Sequence, residues 1–186
     1  MVPIASLWLP ILVSAVLVFV VSSIIHMLLP YHRSDYGRVH DEDHVMDALR
    51  RFNIPPGDYL MPAPGNAAAM RSPEFLAKRE KGPIVMMTVF RPGPPTMGKQ
   101  LVLWFLYSMV IGLFGGYVAG ISLGPGASYV TVFRIVGTVT FAAYALGLWQ
   151  NSIWFGKAWS ITLKSTFDGL IYALLTAGVF GWLWPR

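Results

Sequence analysis

Long apolar runs are the feature that most constrains this sequence. The first run, Ile4 to Leu29, contains no Asp, Glu, Lys or Arg, and about 20 apolar residues are enough for a helix to cross a bilayer. It has neither a basic n-region nor a small-residue cleavage site, so we expect a retained helix rather than a signal peptide. Charged residues form only 12% of the chain, against about a quarter in soluble domains. An ordinary soluble globule is therefore excluded.

Three further apolar spans follow in the C-terminal half, at 101–123, 129–149 and 163–184. The tryptophans lie near the ends of the spans, where indole rings favour the membrane interface. With 1–29 as the first span, the sequence predicts an all-α membrane protein with four transmembrane helices in one compact unit.

A polar insert, 30–100, separates the first and second spans and contains eight of the nine acids and ten of the fourteen bases. Within it, Asp41–Phe52 is expected to form a short helix capped by its first residue. Ile84–Phe90 and Asp58–Pro64 are β-prone, and Ser72–Lys81 is expected to form a helical turn or two. The prediction is a small α+β or irregular cytoplasmic insert that lies on the bilayer.

The distribution of basic residues predicts the orientation. Loop 30–100 and the third loop, with Lys157, carry positive charge, whereas the second loop, 124–128, carries none. The positive-inside rule then places the insert in the cytoplasm and both termini outside, in a bacterial inner membrane. The net charge of +5 is not concentrated in a basic cluster, so we expect no nucleic-acid partner. The absence of cysteine excludes disulfides and thiolate metal sites.

Small residues at four-residue spacing occur in the second and fourth spans and allow close helix packing. The second span carries Gly112, Gly116, Gly120 and Gly124, and the fourth carries Gly169, Ala173, Ala177 and Gly181. We expect these two helices to pack against each other within the chain; the alternative is a homo-oligomer interface.

Ionisable residues inside a span are costly and therefore informative. Three are present: His26, Arg134 and Asp168. With the predicted orientation, His26 and Asp168 lie toward the cytoplasmic side, where a hydrogen bond between them would satisfy both. This pair is either a structural clasp between the first and fourth helices or part of a proton or ion path. Arg134 lies toward the outer leaflet and is expected to reach the headgroups.

Two sequence segments outside the spans are candidate binding sites. His40 and His44, at helical i, i+4 spacing with acids between them, could hold zinc; the alternative is an acid-rich helix start that favours the helix dipole. The run Pro30–Tyr36 is dense in hydrogen-bonding groups directly after the first span. It either binds a lipid headgroup or quinone ring or simply ends the helix at the interface.

The C-terminal helices resemble part of a known family. The features concerned are Asn151, Phe155, Trp159, the Asp168-Gly169 pair and Tyr172, followed by the small-residue stripe and a closing Trp. With these features, the last part of the chain is similar to the final helices of a bacterial family of small four-helix membrane proteins of unknown function. The resemblance covers about a third of the chain and excludes the insert. In that family a Phe-Gly-Lys-x-Trp element follows the first helix, whereas here Phe-Gly-Lys-Ala-Trp precedes the fourth. The resemblance implies four spans and an inward-facing Asp168.

These observations favour a bacterial inner-membrane accessory, assembly or scaffolding subunit that packs against other membrane proteins or forms a homo-oligomer. The alternative is a small transporter or proton-coupled carrier that uses His26 and Asp168. A weaker alternative is a membrane enzyme with a metal at His40 and His44. The favoured function predicts no enzymatic activity and no cofactor, with the lipid bilayer as the immediate partner.

Overall fold

The computed structural model describes all residues from Met1 to Arg186, and 68% of it is helical. It has two compact units, one formed by Met1–Tyr36 with Thr96–Arg186 and the other by Gly37–Pro95. The helices and strands are α1 (Trp8–Leu28), α2 (Glu42–Arg50), β1 (Gly57–Met61), α3 (Pro73–Lys81), β2 (Val85–Val89), α4 (Gly98–Ser122), α5 (Tyr129–Tyr144), α6 (Trp149–Phe155) and α7 (Trp159–Trp182). Short 3-10 turns at Ile4–Leu7, Pro30–Ser34, Ala69–Arg71 and Leu146–Leu148 connect some of them.

Three helical segments are long and apolar enough to cross a membrane: Ile4–Leu28, Gly98–Ser122 and Tyr129–Phe155. The third is not one regular helix, because α5 ends at Tyr144 and a 3-10 turn separates it from α6. α7 is 24 residues long but is not among the three, since Lys164 and Asp168 near its start lower its apolar character. The membrane character of the chain is therefore supported, and the expected number of four spans is not reached by these criteria.

In the larger unit, α7 packs against α5 and α1, and α4 packs against α1 and α5. The expectation that α4 and α7 pack against each other is met only at Gly116, which faces Phe180 of α7; the main partners of both helices are others. Instead, Gly112 faces Ser14 and Ile11 of α1, while the α7 stripe faces α5. A small-residue stripe permits close approach of a backbone, but it does not specify which helix approaches.

The individual glycines show how tight these contacts are. A Cβ at Gly169 would lie 3.0 Å from the Cβ of Ala145, and one at Gly181 would lie 2.7 Å from the ring of Tyr129. Gly116 faces Phe180 of α7 across the centre of the bundle. Ala173 and Ala177 are buried, whereas Gly124 has no atom within 4 Å of its Cβ position and contacts the bundle through its carbonyl, which accepts from Trp184 Nε1 at 3.0 Å. The stripes are thus used within the chain, except at this last position.

A compact apolar core fills the middle of the bundle. Its largest members with no appreciable exposure are Leu7, Val18, Val132, Val136 and Phe180. The N-terminal segment is held against this core, because the Val2 N–H donates to the Gly120 carbonyl at 2.8 Å. The close contact needs glycine at this position, since a Cβ there would lie 2.6 Å from the Val2 oxygen.

The smaller unit is α+β, as the sequence predicts. β1 and β2 form an antiparallel pair with Tyr59 opposite Met87. β2 lies within the predicted segment Ile84–Phe90, whereas β1 begins at Gly57, one residue before the predicted segment Asp58–Pro64. The Ser72 hydroxyl accepts from the Phe75 N–H and caps α3. The predicted cap at Asp41 is wrong: this residue has a left-handed φ of 56° and makes no side-chain cap, and α2 begins only at Glu42.

Candidate functional site

A sharp turn after α1 creates the site. Leu29 is extended, with φ −81° and ψ 136°, as expected for a residue before proline, and Pro30 opens a 3-10 turn that ends at Ser34. The chain therefore leaves the helix axis and folds back toward the start of α7. This turn places Tyr31 and His32 against a carboxylate of that helix.

Asp168 is the centre of the site and is only 3% exposed. Its Oδ1 accepts a hydrogen bond from the Tyr31 hydroxyl, and its Oδ2 lies 2.8 Å from His32 Nε2. A buried carboxylate is tolerated only when such partners replace its hydration. Both carboxylate oxygens of Asp168 are thus hydrogen-bonded to side chains of the 3-10 turn that follows α1.

Asp35 and Lys164 extend the network on the other side of His32. His32 Nδ1 lies 2.6 Å from Asp35 Oδ2. Lys164 Nζ donates to Asp35 Oδ1 at 2.8 Å, to the Tyr31 carbonyl at 2.6 Å and to Ser34 Oγ at 2.9 Å. Because Lys164 precedes Asp168 by one helical turn, α7 presents both residues on one face. We call Tyr31, His32, Asp35, Lys164 and Asp168, together with His26, the polar cluster.

The environment shifts the ionisation of two groups in the turn. Burial raises the pKa of Asp35, but the hydrogen bonds from Lys164 and His32 outweigh it and hold that pKa below its ordinary value. Burial, then the hydrogen bond to Asp168, raises the pKa of the Tyr31 hydroxyl. The network therefore favours an ionised Asp35 and a protonated Tyr31, the forms that its hydrogen bonds need.

His26 lies at the edge of the cluster, in the last turn of α1. Its ring centroid is 4.6 Å from that of His32, and ligand atoms of His26, His32 and Asp168 all lie within 4.8 Å of one another. The expected proximity of His26 and Asp168 is present, but the direct hydrogen bond is not, because His32 occupies that place. The turn after α1 brings a second histidine closer to the carboxylate than the helix itself does.

The other predicted site residues do not join the cluster. Arg134 is an exposed residue of α5. His40 and His44 are exposed residues of the smaller unit, and His44 Nδ1 lies 2.6 Å from Asp41 Oδ1. Because α2 begins at Glu42, His40 precedes the helix and the two histidines do not share a helical face. The geometry that suggested zinc at this position is therefore not formed.

Sequence reasoning singled out the run Pro30–Tyr36 as a candidate binding segment but did not place its Tyr31, His32 and Asp35, or Lys164, beside Asp168. The signal for the first three was their density directly after a span, which was compatible with a mere helix end. The signal for Lys164 was its four-residue spacing from Asp168. No sequence rule indicated that the turn would fold back onto α7.

The interior beyond Asp168 is aromatic and contains two polar atoms without partners. Tyr172 lies one turn after Asp168 on α7, and its ring centroid is 5.6 Å from that of Tyr144 on α5. The hydroxyls of both tyrosines are buried and make no hydrogen bond. Trp104 packs beside them and donates from Nε1 to Ser22 Oγ at 2.8 Å.

Comparison with family models and curated proteins, and with solved structures, gave no match for this chain. The resemblance of its last helices to a family of unknown function stays a prediction.

Proposed function

We propose that the protein is a four-span inner-membrane protein of bacteria that serves as an accessory, assembly or scaffolding subunit. Support for α7 as the fourth span comes from its length and from where its charges lie. At about 1.5 Å per residue, 24 residues reach across the hydrocarbon core. Lys164 and Asp168 both belong to the polar cluster at one end, so neither charge is left unpaired in lipid.

The observation that carries the accessory role is the exposed apolar face of α2. Val45, Met46 and Leu49 lie on one side of this helix and are 41%, 44% and 39% exposed. With Val39, they line a shallow groove in the smaller unit. An amphipathic helix normally buries such a face, so a partner surface is the natural complement.

The charge of α2 favours a protein partner over the bilayer surface. The helix carries three acids, Glu42, Asp43 and Asp47, against the single base Arg50. Helices that lie on anionic membranes are instead rich in Lys and Arg. We infer a partner protein that offers an apolar groove with basic residues at its rim.

Site-specific photo-crosslinking in living cells tests this function. A photoreactive residue at Met46 is expected to give one discrete heteromeric adduct with another membrane protein, whereas the same residue at Asp47, on the opposite side of α2, is the matched control. Val45→Asp combined with Leu49→Asp should remove the adduct. A homodimeric adduct, a lipid adduct or equal labelling from both faces would contradict the accessory role.

A second candidate, a proton-coupled carrier, is favoured by the line of polar groups that runs inward from Asp168. The unpartnered hydroxyls of Tyr172 and Tyr144 continue from the carboxylate toward the middle of the bundle. In proteoliposomes with an internal pH-sensitive dye, this function predicts a proton flux that Asp168→Asn removes. Equal dye responses from wild-type, variant and empty vesicles would exclude it.

A further inference from the structure

We propose that His26, His32 and Asp168 form a binding site for a divalent first-row transition-metal ion, with Zn²⁺ as its best-suited occupant. The three residues come from the last turn of α1, the 3-10 turn after it and the first half of α7. Their ligand atoms lie within 4.8 Å of one another. This inference is independent of the accessory function, which rests on the smaller unit.

The strongest indication is that a carboxylate faces each nitrogen of His32. Asp35 Oδ2 lies 2.6 Å from Nδ1 and Asp168 Oδ2 lies 2.8 Å from Nε2. A neutral imidazole has one N–H and can donate to only one of them. The other nitrogen then directs its lone pair at a carboxylate oxygen, a contact that requires a second proton or a metal ion. With Nδ1–H donated to Asp35, Nε2 and Asp168 are left to share the cation.

Asp35 is placed to accept the hydrogen bond that a metal-binding histidine donates from its second ring nitrogen. Such histidines donate their second ring N–H to a carboxylate, which fixes the tautomer and the ring orientation. Asp35 is itself held by Lys164, whose Nζ donates to Asp35 Oδ1 at 2.8 Å. On the metal side, Tyr31 donates to Asp168 Oδ1 and leaves Oδ2 available. His32 and Asp168, the two proposed ligands from the turn and α7, are therefore each held by a further side chain, Asp35 and Tyr31 respectively.

The charge of the cluster also favours a cation. Asp35 and Asp168 carry two negative charges, and Lys164 supplies one positive charge against them. With neutral histidines, one negative charge remains next to the imidazoles. A cation between His32 and Asp168 would balance this charge.

The ligand types and their spacing indicate the kind of ion. Two imidazoles and one carboxylate suit zinc and related transition metals, while Mg²⁺ and Ca²⁺ prefer oxygen ligands. Ligands about 2.0–2.1 Å from a tetrahedral Zn²⁺ lie about 3.3 Å apart. His32 Nε2 and Asp168 Oδ2 lie 2.8 Å apart and would separate by about 0.5 Å to admit the ion. His26 is exposed and would supply the third ligand. Three protein ligands leave a fourth position open.

Zinc titration of the full-length protein, purified without a polyhistidine tag and stripped with a chelator, tests the site. We expect one Zn²⁺ per chain by competition with a fluorescent chelator, and little competition from Mg²⁺. His32→Ala and His26→Ala should each weaken binding by at least about 100-fold. Asp35→Asn, which changes only an outer partner, should weaken it by about 10–100-fold.

Two controls separate this site from folding defects and from other histidines. His26 is exposed and contacts the cluster through its ring packing on His32, so His26→Ala should change thermal unfolding of the metal-free protein little while it weakens binding by at least about 100-fold. His44→Ala, outside the cluster, should bind Zn²⁺ like the wild type. Absence of saturable 1:1 binding, or equal affinity in the His26 and His44 variants, would overturn the proposal.

Discussion

Asp168 is the only acid outside the polar insert, and its surroundings explain why such a residue is tolerated in an apolar helix. Both of its oxygens are engaged by Tyr31 and His32, and those two residues are in turn supported by Lys164 and Asp35. Buried polar groups in such a network depend on one another, because removal of one partner leaves the next unsatisfied. The cluster therefore acts as one unit that joins the end of α1 to α7.

Lys164→Met is expected to destabilise the protein by about 1–3 kcal/mol at neutral pH, because three acceptors lose a charged donor. The lowered pKa of Asp35 adds a pH dependence. The ionised Asp35 stabilises the fold fully when the pH is above the pKa of an unfolded aspartate, about 3.9. This stabilisation is lost as the pH falls through the lower pKa that Asp35 has in the folded protein. The difference in thermal unfolding between wild type and Lys164→Met should therefore shrink as the pH is lowered from 7 toward 3.

The matched control is Lys157→Met, since Lys157 is exposed and lies outside the cluster. It should unfold close to the wild-type temperature at every pH. A difference for Lys164→Met that is independent of pH would contradict the assigned role of the Lys164–Asp35 pair.

At the scale of the elements, glycines that belong to the same sequence repeat differ in whether another part of the chain packs against them. Gly120 and Gly124 follow each other in the four-residue repeat, yet a Cβ at Gly120 would meet the N-terminal backbone and a Cβ at Gly124 would meet nothing within 4 Å. The four-residue repeat in the sequence indicates which face of a helix carries small residues. It does not report whether a neighbour reaches every position of that face.

Gly120→Ala is expected to destabilise the bundle by about 1–3 kcal/mol, the usual cost of overpacking. The added Cβ would lie 2.6 Å from the Val2 carbonyl oxygen, which is backbone and must move. Gly124→Ala should have little effect because its Cβ position is open. Thermal unfolding in detergent, followed by circular dichroism, measures both; equal changes for the two variants would contradict the packing described here.

At the scale of the whole molecule, the charged residues are unevenly distributed along the chain. The smaller unit, Gly37–Pro95, contains most of them, and the polar cluster gathers others where α1 ends and α7 begins. The short connection 124–128 at the opposite end has none. This asymmetry is the basis for the proposed orientation.

A single cysteine tests that orientation, because the chain has no cysteine of its own. Pro125→Cys is preferred to a change at Gly126, whose φ of 74° disfavours a side chain. We expect Pro125→Cys to react with a membrane-impermeant thiol reagent in intact cells. Lys81→Cys, in the smaller unit, should react only after permeabilisation; the reverse pattern would invert the orientation.

The sequence by itself determined the membrane character, the predominance of helices, the small α+β insert and the importance of Asp168. These properties follow from hydropathy, from local β preferences and from the cost of a charge in an apolar helix, all of which act over a few neighbouring residues. The structure shortened α2, divided the third span at Tyr144 and left Asp41 without its capping role.

Only the tertiary structure decided which helices are neighbours and which side chains meet at Asp168. His32 and Asp168 are far apart in the sequence, and their contact exists because the turn at Pro30 reverses the chain toward α7. Local patterns contain no information about this approach, since it depends on how α1, α5 and α7 pack. The sequence therefore identified the buried carboxylate, and the fold supplied the second histidine, the lysine and the tyrosine that surround it.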